Sequence, residues 1–270
     1  MPISFKNLHA TYEKYKSCNV LIYQMGKVGS TSLERSITKS VHLHTLFSNS
    51  ECSERQRQLL FLYPIKEIKN RIYQFVKRLA IRQKKEVKII SLVREPVSRN
   101  TSMYFQHFPY WYCKFLNENN DGLISRNDGN DIVKLAFETS FDHNYFNSWF
   151  DKEVKKLTGI DIFKYEFDKN KGYTVINKGK YKLLLLTMEN VNKCYENGVI
   201  QQFIAEEFTL NSSNVSENKW YSEIMKDFKN NYAYDIEYVN KMHNSKTAKH
   251  FYDDVFLEKK KQLIKLERVG

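Results

Sequence analysis

The chain has 270 residues, with 43 Lys and Arg against 31 Asp and Glu, which gives a formal net charge of +12. Hydrophobic residues make up 41% and aromatic residues 14% of the chain, and these values exclude an intrinsically disordered protein. The positive charge predicts a polyanionic ligand or partner, such as nucleic acid, an anionic membrane, an acidic polysaccharide or a phosphorylated cofactor.

The cysteine pattern and the hydropathy indicate a compartment. Cys18, Cys52, Cys113 and Cys194 are far apart, which disfavours a disulfide scaffold or a zinc site and fits a reducing cytoplasm. Residues 1–18 lack the apolar core of a signal peptide. We therefore expect a cytoplasmic protein with no metal and at most peripheral membrane contact.

The first part of the chain alternates predicted strands and helices, which is typical of a parallel sheet with crossover helices. The predicted strands cover 19–24, 41–47 and 87–93. The predicted helices cover 30–39, 53–85 with a break or start at Pro64, and 95–108.

The rest of the chain is predicted to be mostly helical, with one hairpin. Segments are expected as a loop at 117–130, a helix at 132–157, a hairpin at 173–188 with its turn at 177–180, a helix at 190–205, a loop at 211–218 and amphipathic helices from 219. The predicted fold is α/β: a P-loop-like three-layer sandwich whose central, mostly parallel sheet is flanked by helices, with a helical C-terminal part. A single domain over 1–270 is expected, because no linker divides the chain.

The segment after the first strand has the composition of a phosphate-binding loop. Two glycines permit tight turning, and free N–H groups at the following helix, a lysine and three hydroxyls supply donors to an anion. Its residues are Gly26, Lys27, Val28, Gly29, Ser30, Thr31 and Ser32. It is not a Walker A loop, in which the lysine directly follows the last glycine. An ordinary strand-to-helix turn capped by Ser or Thr is the alternative.

A second loop follows the strand at 87–93. Arg94 stands at the carboxyl end of that strand, where α/β sheets bind ligands, and Ser102 follows two helical turns later. The guanidinium and the hydroxyl both suit a phosphate. The alternative is a helix started by Pro96, with Arg94 in a structural ion pair.

Together, the two loops resemble a known enzyme family. Lys27-Val-Gly-Ser-Thr-Ser32 and Arg94-Glu-Pro-Val-Ser-Arg-Asn-Thr-Ser-Met-Tyr104 are similar to the loops of sulfotransferases that use 3′-phosphoadenosine 5′-phosphosulfate (PAPS), nearest to the heparan sulfate 2-O-sulfotransferase branch. The chain also resembles bacterial capsular polysaccharide synthesis proteins at Trp149-Phe-Asp151, Ile160-Asp-Ile-Phe163 and Asn218-Lys-Trp-Tyr221.

The resemblance implies a role for each loop. Residues 27–32, with Gly26 beside them, would hold the 5′-phosphosulfate of PAPS, and Arg94 with Ser102 would hold the 3′-phosphate of PAPS and of the product PAP. Lys27 would stabilise the leaving oxygen. Related carbohydrate sulfotransferases carry a catalytic histidine near the second strand, where this chain has His42 and His44. We expect His44 to be the base, with His42 second; the alternative is that either histidine only packs under the sheet.

The predicted function is therefore PAPS-dependent sulfuryl transfer to a hydroxyl of a glycan, such as a capsular polysaccharide or its lipid-linked precursor. Residues 55–88 carry a net charge of +9, from eleven bases and two acids, and are either an exposed helix face or a surface for an acidic acceptor. The acceptor is expected to be an anionic or neutral glycan rather than nucleic acid. The alternatives are a P-loop nucleotide kinase and a basic nucleic-acid-binding protein without catalysis.

Overall fold

The computed structural model describes residues 4–49, 63–118, 129–211 and 219–264. The chain divides into two compact units by packing. The sheet unit comprises Met1–Arg94 and Asn147–Ser213, and the helical unit comprises Glu95–Phe146 and Asn214–Gly270. The expectation of one domain over 1–270 stays a prediction.

The sheet unit is built on a five-stranded sheet in the order β2-β1-β3-β5-β4. Its strands are β1 (Val20–Tyr23), β2 (Ser40–Leu43), β3 (Val87–Val93), β4 (Tyr173–Lys178) and β5 (Tyr181–Thr187). β2, β1, β3 and β5 run parallel, and β4 pairs with β5 as the antiparallel arm of a hairpin. The predicted α/β class, with a mostly parallel sheet flanked by helices, is confirmed.

The helices follow the strands along the chain. They are α1 (Phe5–Ser17), α2 (Thr31–Ser36), α3 (Tyr63–Arg82), α4 (Pro96–Gln106), α5 (Phe108–Glu118), α6 (Gly129–Leu135), α7 (Tyr145–Lys152), α8 (Val154–Thr158), α9 (Val191–Glu196), α10 (Val199–Ile204), α11 (Ser222–Asn231), α12 (Ile236–His243), α13 (Lys246–Phe251) and α14 (Asp254–Gln262). Within the described ranges, no helix combines the length and the apolar character that a bilayer crossing needs.

The strand residues form the core of the sheet unit because their side chains are apolar on both faces. All four residues of β1 are buried, and Leu183 to Leu186 of β5 are each at most 1% exposed. A continuous apolar run of this kind suits a parallel strand with both faces covered.

Three predicted elements differ from the structure. The second strand ends at Leu43 rather than at residue 47, so His44 follows it. Of the predicted helix at 53–85, the structure describes α3 over Tyr63–Arg82; residues 53–62 lie outside the described ranges, so the break or start at Pro64 stays a prediction.

The second difference is the expected helix at 132–157, which is interrupted. After α6 the chain forms a π-helix at Ala136–Ser140 and then turns before α7. The Asp142 side chain accepts the Asn144 N–H at 3.0 Å, so it offers the backbone a turn in place of a helical bond. The predicted helix at 190–205 is likewise divided, because Gly198 adopts a φ of +69° between α9 and α10.

The helical unit has an aromatic core. Tyr104, Phe105 and Phe137 are fully buried and contact one another or Phe228 edge-on, with ring centroids 5.0–5.6 Å apart. Rings at this distance and angle attract one another in addition to burying apolar area. Tyr104, Phe105 and Phe137 therefore contribute to the packing of this unit.

A buried carboxylate holds the segment after β2 in the sheet unit. Glu153 is 0% exposed, and it accepts the backbone N–H groups of Leu46 at 2.7 Å and Ser48 at 2.7 Å. It also accepts the hydroxyls of Tyr23 and Ser48. Because a buried charge is tolerated only with such partners, Glu153 fixes where the chain goes after the second strand.

Replacing this carboxylate tests its role in stability. We expect Glu153→Gln to lower the free energy of unfolding by about 3 kcal/mol, because an amide NH₂ then faces N–H donors in a buried place. Urea unfolding measures the change. Glu166→Gln removes an exposed carboxylate of the same unit and serves as the control; equal losses in both variants would contradict the anchoring role of Glu153.

Candidate functional site

Gln24, His44 and Arg94 each directly follow a parallel strand, so they stand at the same edge of the sheet. Gln24 is fully buried and joins the three strand ends. Its N–H donates to the Leu43 carbonyl at 3.2 Å, and its side-chain oxygen accepts the Leu92 N–H at 3.2 Å. The ends of β1, β2 and β3 are thereby held in register where the candidate residues lie.

The predicted phosphate loop leaves β1 in a constrained conformation. Lys27 has a φ of +69°, which a residue with a side chain rarely adopts, and Gly29 has a φ of +83°. A Cβ on Gly29 would lie 2.8 Å from Cγ of Met188, so only glycine fits there. Arg94 Nη1 donates to the Lys27 carbonyl at 3.3 Å, which connects the two predicted loops within the sheet unit.

His44 is exposed and has a defined tautomer. Its Nδ1 lies 2.8 Å from the carbonyl oxygen of Gln24, so Nδ1 carries the hydrogen and Nε2 carries the lone pair. The Trp149 indole N–H donates to the His44 carbonyl at 2.9 Å and fixes the backbone. An imidazole held in this way can accept a proton at Nε2.

His42 lies in β2 and is more buried than His44. The two rings meet edge-on with centroids 4.4 Å apart. His42 Nδ1 is 3.1 Å from Oε2 of Glu34, and Ser30 Oγ is 3.2 Å from Nε2. Burial, and secondly the neighbouring His44, lower the pKa of His42 to about 4. His42 is therefore neutral at pH 7; it donates to Glu34 and accepts from Ser30.

Ser30, His42 and Glu34 form a hydroxyl–imidazole–carboxylate chain, the order found in enzymes with a serine nucleophile. Ser30 precedes α2, but its side chain makes no capping bond to that helix. The Ser30 side chain therefore does not cap α2, and the choice between a phosphate loop and an ordinary strand-to-helix turn stays a prediction.

The low pKa of His42 predicts a pH dependence of stability. Histidine in the unfolded chain has a pKa of about 6.5. Between pH 6.5 and pH 4 the unfolded state thus takes up a proton that folded His42 refuses, so the stability present above pH 6.5 is lost as the pH falls. We expect His42→Gln to make the fall in urea midpoint from pH 7 to pH 4 shallower. The same change at the exposed His9 is the control, and parallel pH profiles for wild type and His42→Gln would contradict the prediction.

The other predicted residues are placed as follows. Gly26, Thr31 and Ser32 are half-buried and Val28 is buried, all in the loop or the first turn of α2. Ser102 is buried in α4, in the helical unit. The prediction that Ser102 and Arg94 share a phosphate stays a prediction.

The second loop begins α4 as its sequence indicates. Pro96 stands at the first helical position, and the Glu95 carboxylate accepts the N–H groups of Val97 at 2.7 Å and Ser98 at 2.8 Å. His243 Nε2 lies 3.0 Å from Glu95, which is fully buried. Burial raises the pKa of Glu95, but the hydrogen bonds from His243 and Ser98 outweigh it and hold this pKa below its ordinary value.

Sequence reasoning missed three residues of this region: Gln24, Glu34 and Met188. Gln24 is a polar residue directly after a fully apolar strand, and that contrast was a usable signal. Glu34 meets His42 only because α2 packs beside β2, and Met188 meets Gly29 only because β5 is in the same sheet. No local sequence pattern predicts either of these two contacts.

The described residues contain neither a metal-binding cluster nor a disulfide bond. No group of three or more His, Cys, Asp or Glu side chains that could hold a metal occurs among the described residues. Cys18 and Cys194 are buried free thiols, and Cys113 is an exposed free thiol; Cys52 lies outside the described ranges. The chemistry available at this edge of the sheet is that of the lysine, the arginine, the histidines and the hydroxyls.

Part of the chain is similar to a known protein family. Residues 122–253 match the family described as "Putative capsular polysaccharide synthesis protein". The matched part includes the Trp149, Ile160 and Lys219 segments that carried the second sequence resemblance. It begins after Ser102 and so includes none of the residues predicted to contact PAPS. No curated protein and no solved structure matches the chain.

Proposed function

We propose that the protein is a cytoplasmic PAPS-dependent sulfotransferase that acts on a hydroxyl of a glycan. One observation carries the proposal: the loop after β1 is hydrogen-bonded to the side chains that follow β2 and β3. His44 reaches the Gln24 carbonyl, and Arg94 reaches the Lys27 carbonyl. A cation-lined loop beside a histidine with a fixed tautomer supplies the charges that transfer of a sulfuryl group requires.

The family match supports the glycan side of the proposal. Residues 122–253 match a family described by capsular polysaccharide synthesis, and a transferase that modifies such a polysaccharide fits that description. The identity of the sulfuryl donor rests on the two loops alone.

In the proposed reaction, the acceptor hydroxyl oxygen forms a bond to the sulfur of PAPS while the bond from sulfur to the bridging phosphate oxygen breaks. His44 Nε2 takes the proton of the acceptor hydroxyl. The Lys27 ammonium stabilises the negative charge that develops on the bridging oxygen. The products are the glycan sulfate ester and PAP, and the proton on His44 passes to solvent.

The constrained loop contributes to this proposal by holding Lys27 in place. The positive φ of Lys27 and the Arg94 bond to its carbonyl fix the loop before any ligand arrives. Preorganisation of this kind lowers the entropy that is lost when an anion binds. Gly26, Val28, Gly29, Ser30, Thr31 and Ser32 would supply N–H and hydroxyl donors to the 5′ end of PAPS, and Arg94, with Ser102, would hold the 3′-phosphate.

Binding of PAP tests the donor side. We expect Lys27→Ala and Arg94→Ala each to weaken PAP binding about tenfold or more, because each removes a charged hydrogen bond to phosphate. Isothermal titration calorimetry measures the dissociation constants. Lys39→Ala and Arg35→Ala are matched controls, since both side chains are exposed and Lys39 also has a positive φ.

Unchanged PAP affinity in the Lys27 and Arg94 variants would contradict the donor assignment. Tighter binding of ATP with Mg²⁺ than of PAP would favour a nucleotide kinase. Salt-sensitive binding of random RNA in the absence of PAP binding would favour a nucleic-acid-binding protein.

Transfer itself tests the histidines. With radiolabelled PAPS and a panel of bacterial polysaccharides as acceptors, we expect His44→Gln to lower kcat by about 10²–10⁴-fold, the usual contribution of a general base. PAP affinity should be unchanged, and His42→Gln should have the smaller effect. If His42→Gln abolished turnover and His44→Gln did not, the Ser30–His42–Glu34 chain would be the reacting group instead. No incorporation by the wild type into any acceptor would contradict the enzyme assignment.

A further inference from the structure

The helical unit contains a cavity of about 590 Å³ whose lining shares no residue with the candidate site of the sheet unit. It lies between the α6–π-helix region on one side and α12 with the residues just before it on the other. Its lining includes Lys134, Phe137, Glu138, His143, Tyr232, Asp235, Glu237, Tyr238, Lys241 and Met242. This volume is within the range of pockets that bind small organic molecules.

The cavity has an aromatic lining. Phe137 and Tyr232 are buried, and Tyr238 is half-buried. The Phe137 ring stands edge-on to both tyrosines, with centroid distances of 5.8 Å, so the three rings hold one another in place. Rigid aromatic rings with a hydroxyl at one end offer both apolar contact and hydrogen bonding to a ligand that has both kinds of surface.

The hydroxyl and imidazole groups of the cavity are oriented by hydrogen bonds. Tyr232 donates to Oε1 of Glu138 at 3.0 Å, and Tyr238 lies 3.1 Å from Nδ1 of His143. His143 Nε2 donates to the Phe137 carbonyl at 2.6 Å, so Nδ1 accepts from Tyr238. Burial raises the pKa of both tyrosines and lowers the pKa of His143 to about 4. These three groups are therefore neutral at pH 7.

The charge around the cavity is opposite in sign to that of the chain. Glu138, Asp235 and Glu237 contribute three negative charges, and Lys134 and Lys241 contribute two positive charges. The net charge of the lining is −1, whereas the chain carries +12. A polyanion would be repelled here, while exposed carboxylates can accept hydrogen bonds from hydroxyl groups.

An unusual backbone supports a functional interpretation. Phe137 and Glu138 lie on the π-helix at Ala136–Ser140, and π-helical turns are rare and frequent at functional sites. Both stretches that line the cavity fall within residues 122–253, the part of the chain that matches the polysaccharide synthesis family.

We propose that this cavity binds an uncharged saccharide, with the tyrosine rings against the sugar faces, Phe137 holding those rings from behind, and the carboxylates accepting its hydroxyls. Binding of the sugar in this cavity does not depend on whether PAPS is the sulfuryl donor. The identification of the bound sugar as the acceptor rests on the proposed sulfotransferase function. If both hold, the acceptor is a neutral rather than an acidic sugar residue.

The probes are the methyl glycosides of glucose, galactose and N-acetylglucosamine, with glucuronate as the anionic comparison. Saturation-transfer NMR on the full chain detects binding, and titration gives the dissociation constants. We expect at least one neutral glycoside to bind about fivefold or more tightly than glucuronate, since repulsion by a net negative lining costs about 1 kcal/mol. Binding of none of the neutral probes, or tighter binding of glucuronate, would overturn the proposal.

Two variants locate the binding. Glu138→Gln changes an exposed side chain and should weaken the neutral probe about tenfold, the effect of losing one charged hydrogen bond. Glu223→Gln, an exposed carboxylate on α11 of the same unit, is the matched control and should have no effect. Tyr238→Leu removes one ring and should abolish the saturation transfer. Equal affinities in Glu138→Gln and the control would place the sugar elsewhere and overturn the proposal.

The same samples separate this proposal from the previous one. PAP titration of Glu138→Gln should give the wild-type dissociation constant. Sugar binding without PAP binding would support the cavity proposal and contradict the proposal that PAPS is the donor. PAP binding without sugar binding would support PAPS as the donor and contradict the cavity proposal.

Discussion

The geometry of the candidate site depends on the buried side chain and backbone of Gln24. This one residue bonds to the ends of three parallel strands: its N–H reaches Leu43 in β2, its side-chain oxygen accepts from Leu92 in β3, and its carbonyl accepts from His44. Buried backbone groups need such partners, so the strand ends have little freedom to separate. The phosphate-type loop begins two residues later, at Gly26, and it therefore starts from a fixed point.

His42 and His44, which are separated by one residue, have different properties because their surroundings differ. His42 is buried between Ser30 and Glu34 and has a pKa near 4, whereas His44 is exposed and its tautomer is set by one backbone carbonyl. Neither difference is visible in the sequence Val41-His-Leu-His-Thr45, where both are histidines on the same face of a strand. The structure leaves the His44 side chain exposed and places His42 in an internal hydrogen-bonded chain, which is why the proposed function assigns the proton acceptor to His44.

Charge is also distributed less simply than composition suggests. A net charge of +12 pointed to polyanions in general. Lys27 and Arg94 account for a small part of it at the loop, and the cavity of the helical unit carries a net −1. In the proposed function the cationic residues at the loop attract the anionic donor, whereas the net negative charge of the cavity lining disfavours an acidic acceptor.

The sequence by itself determined the alternation of strands and helices, the mostly parallel sheet and the hairpin, because continuous apolar runs and turn residues act locally. It also marked Lys27, His44 and Arg94 by their places after strands. Contacts in the folded chain decide the rest. The helix expected at 132–157 is broken, and Glu34 pairs with His42. Met188 lies where a side chain at position 29 would be, and Glu153 anchors the segment after β2. Each of these depends on a contact between elements distant in the chain, and such contacts leave no periodic pattern in the sequence.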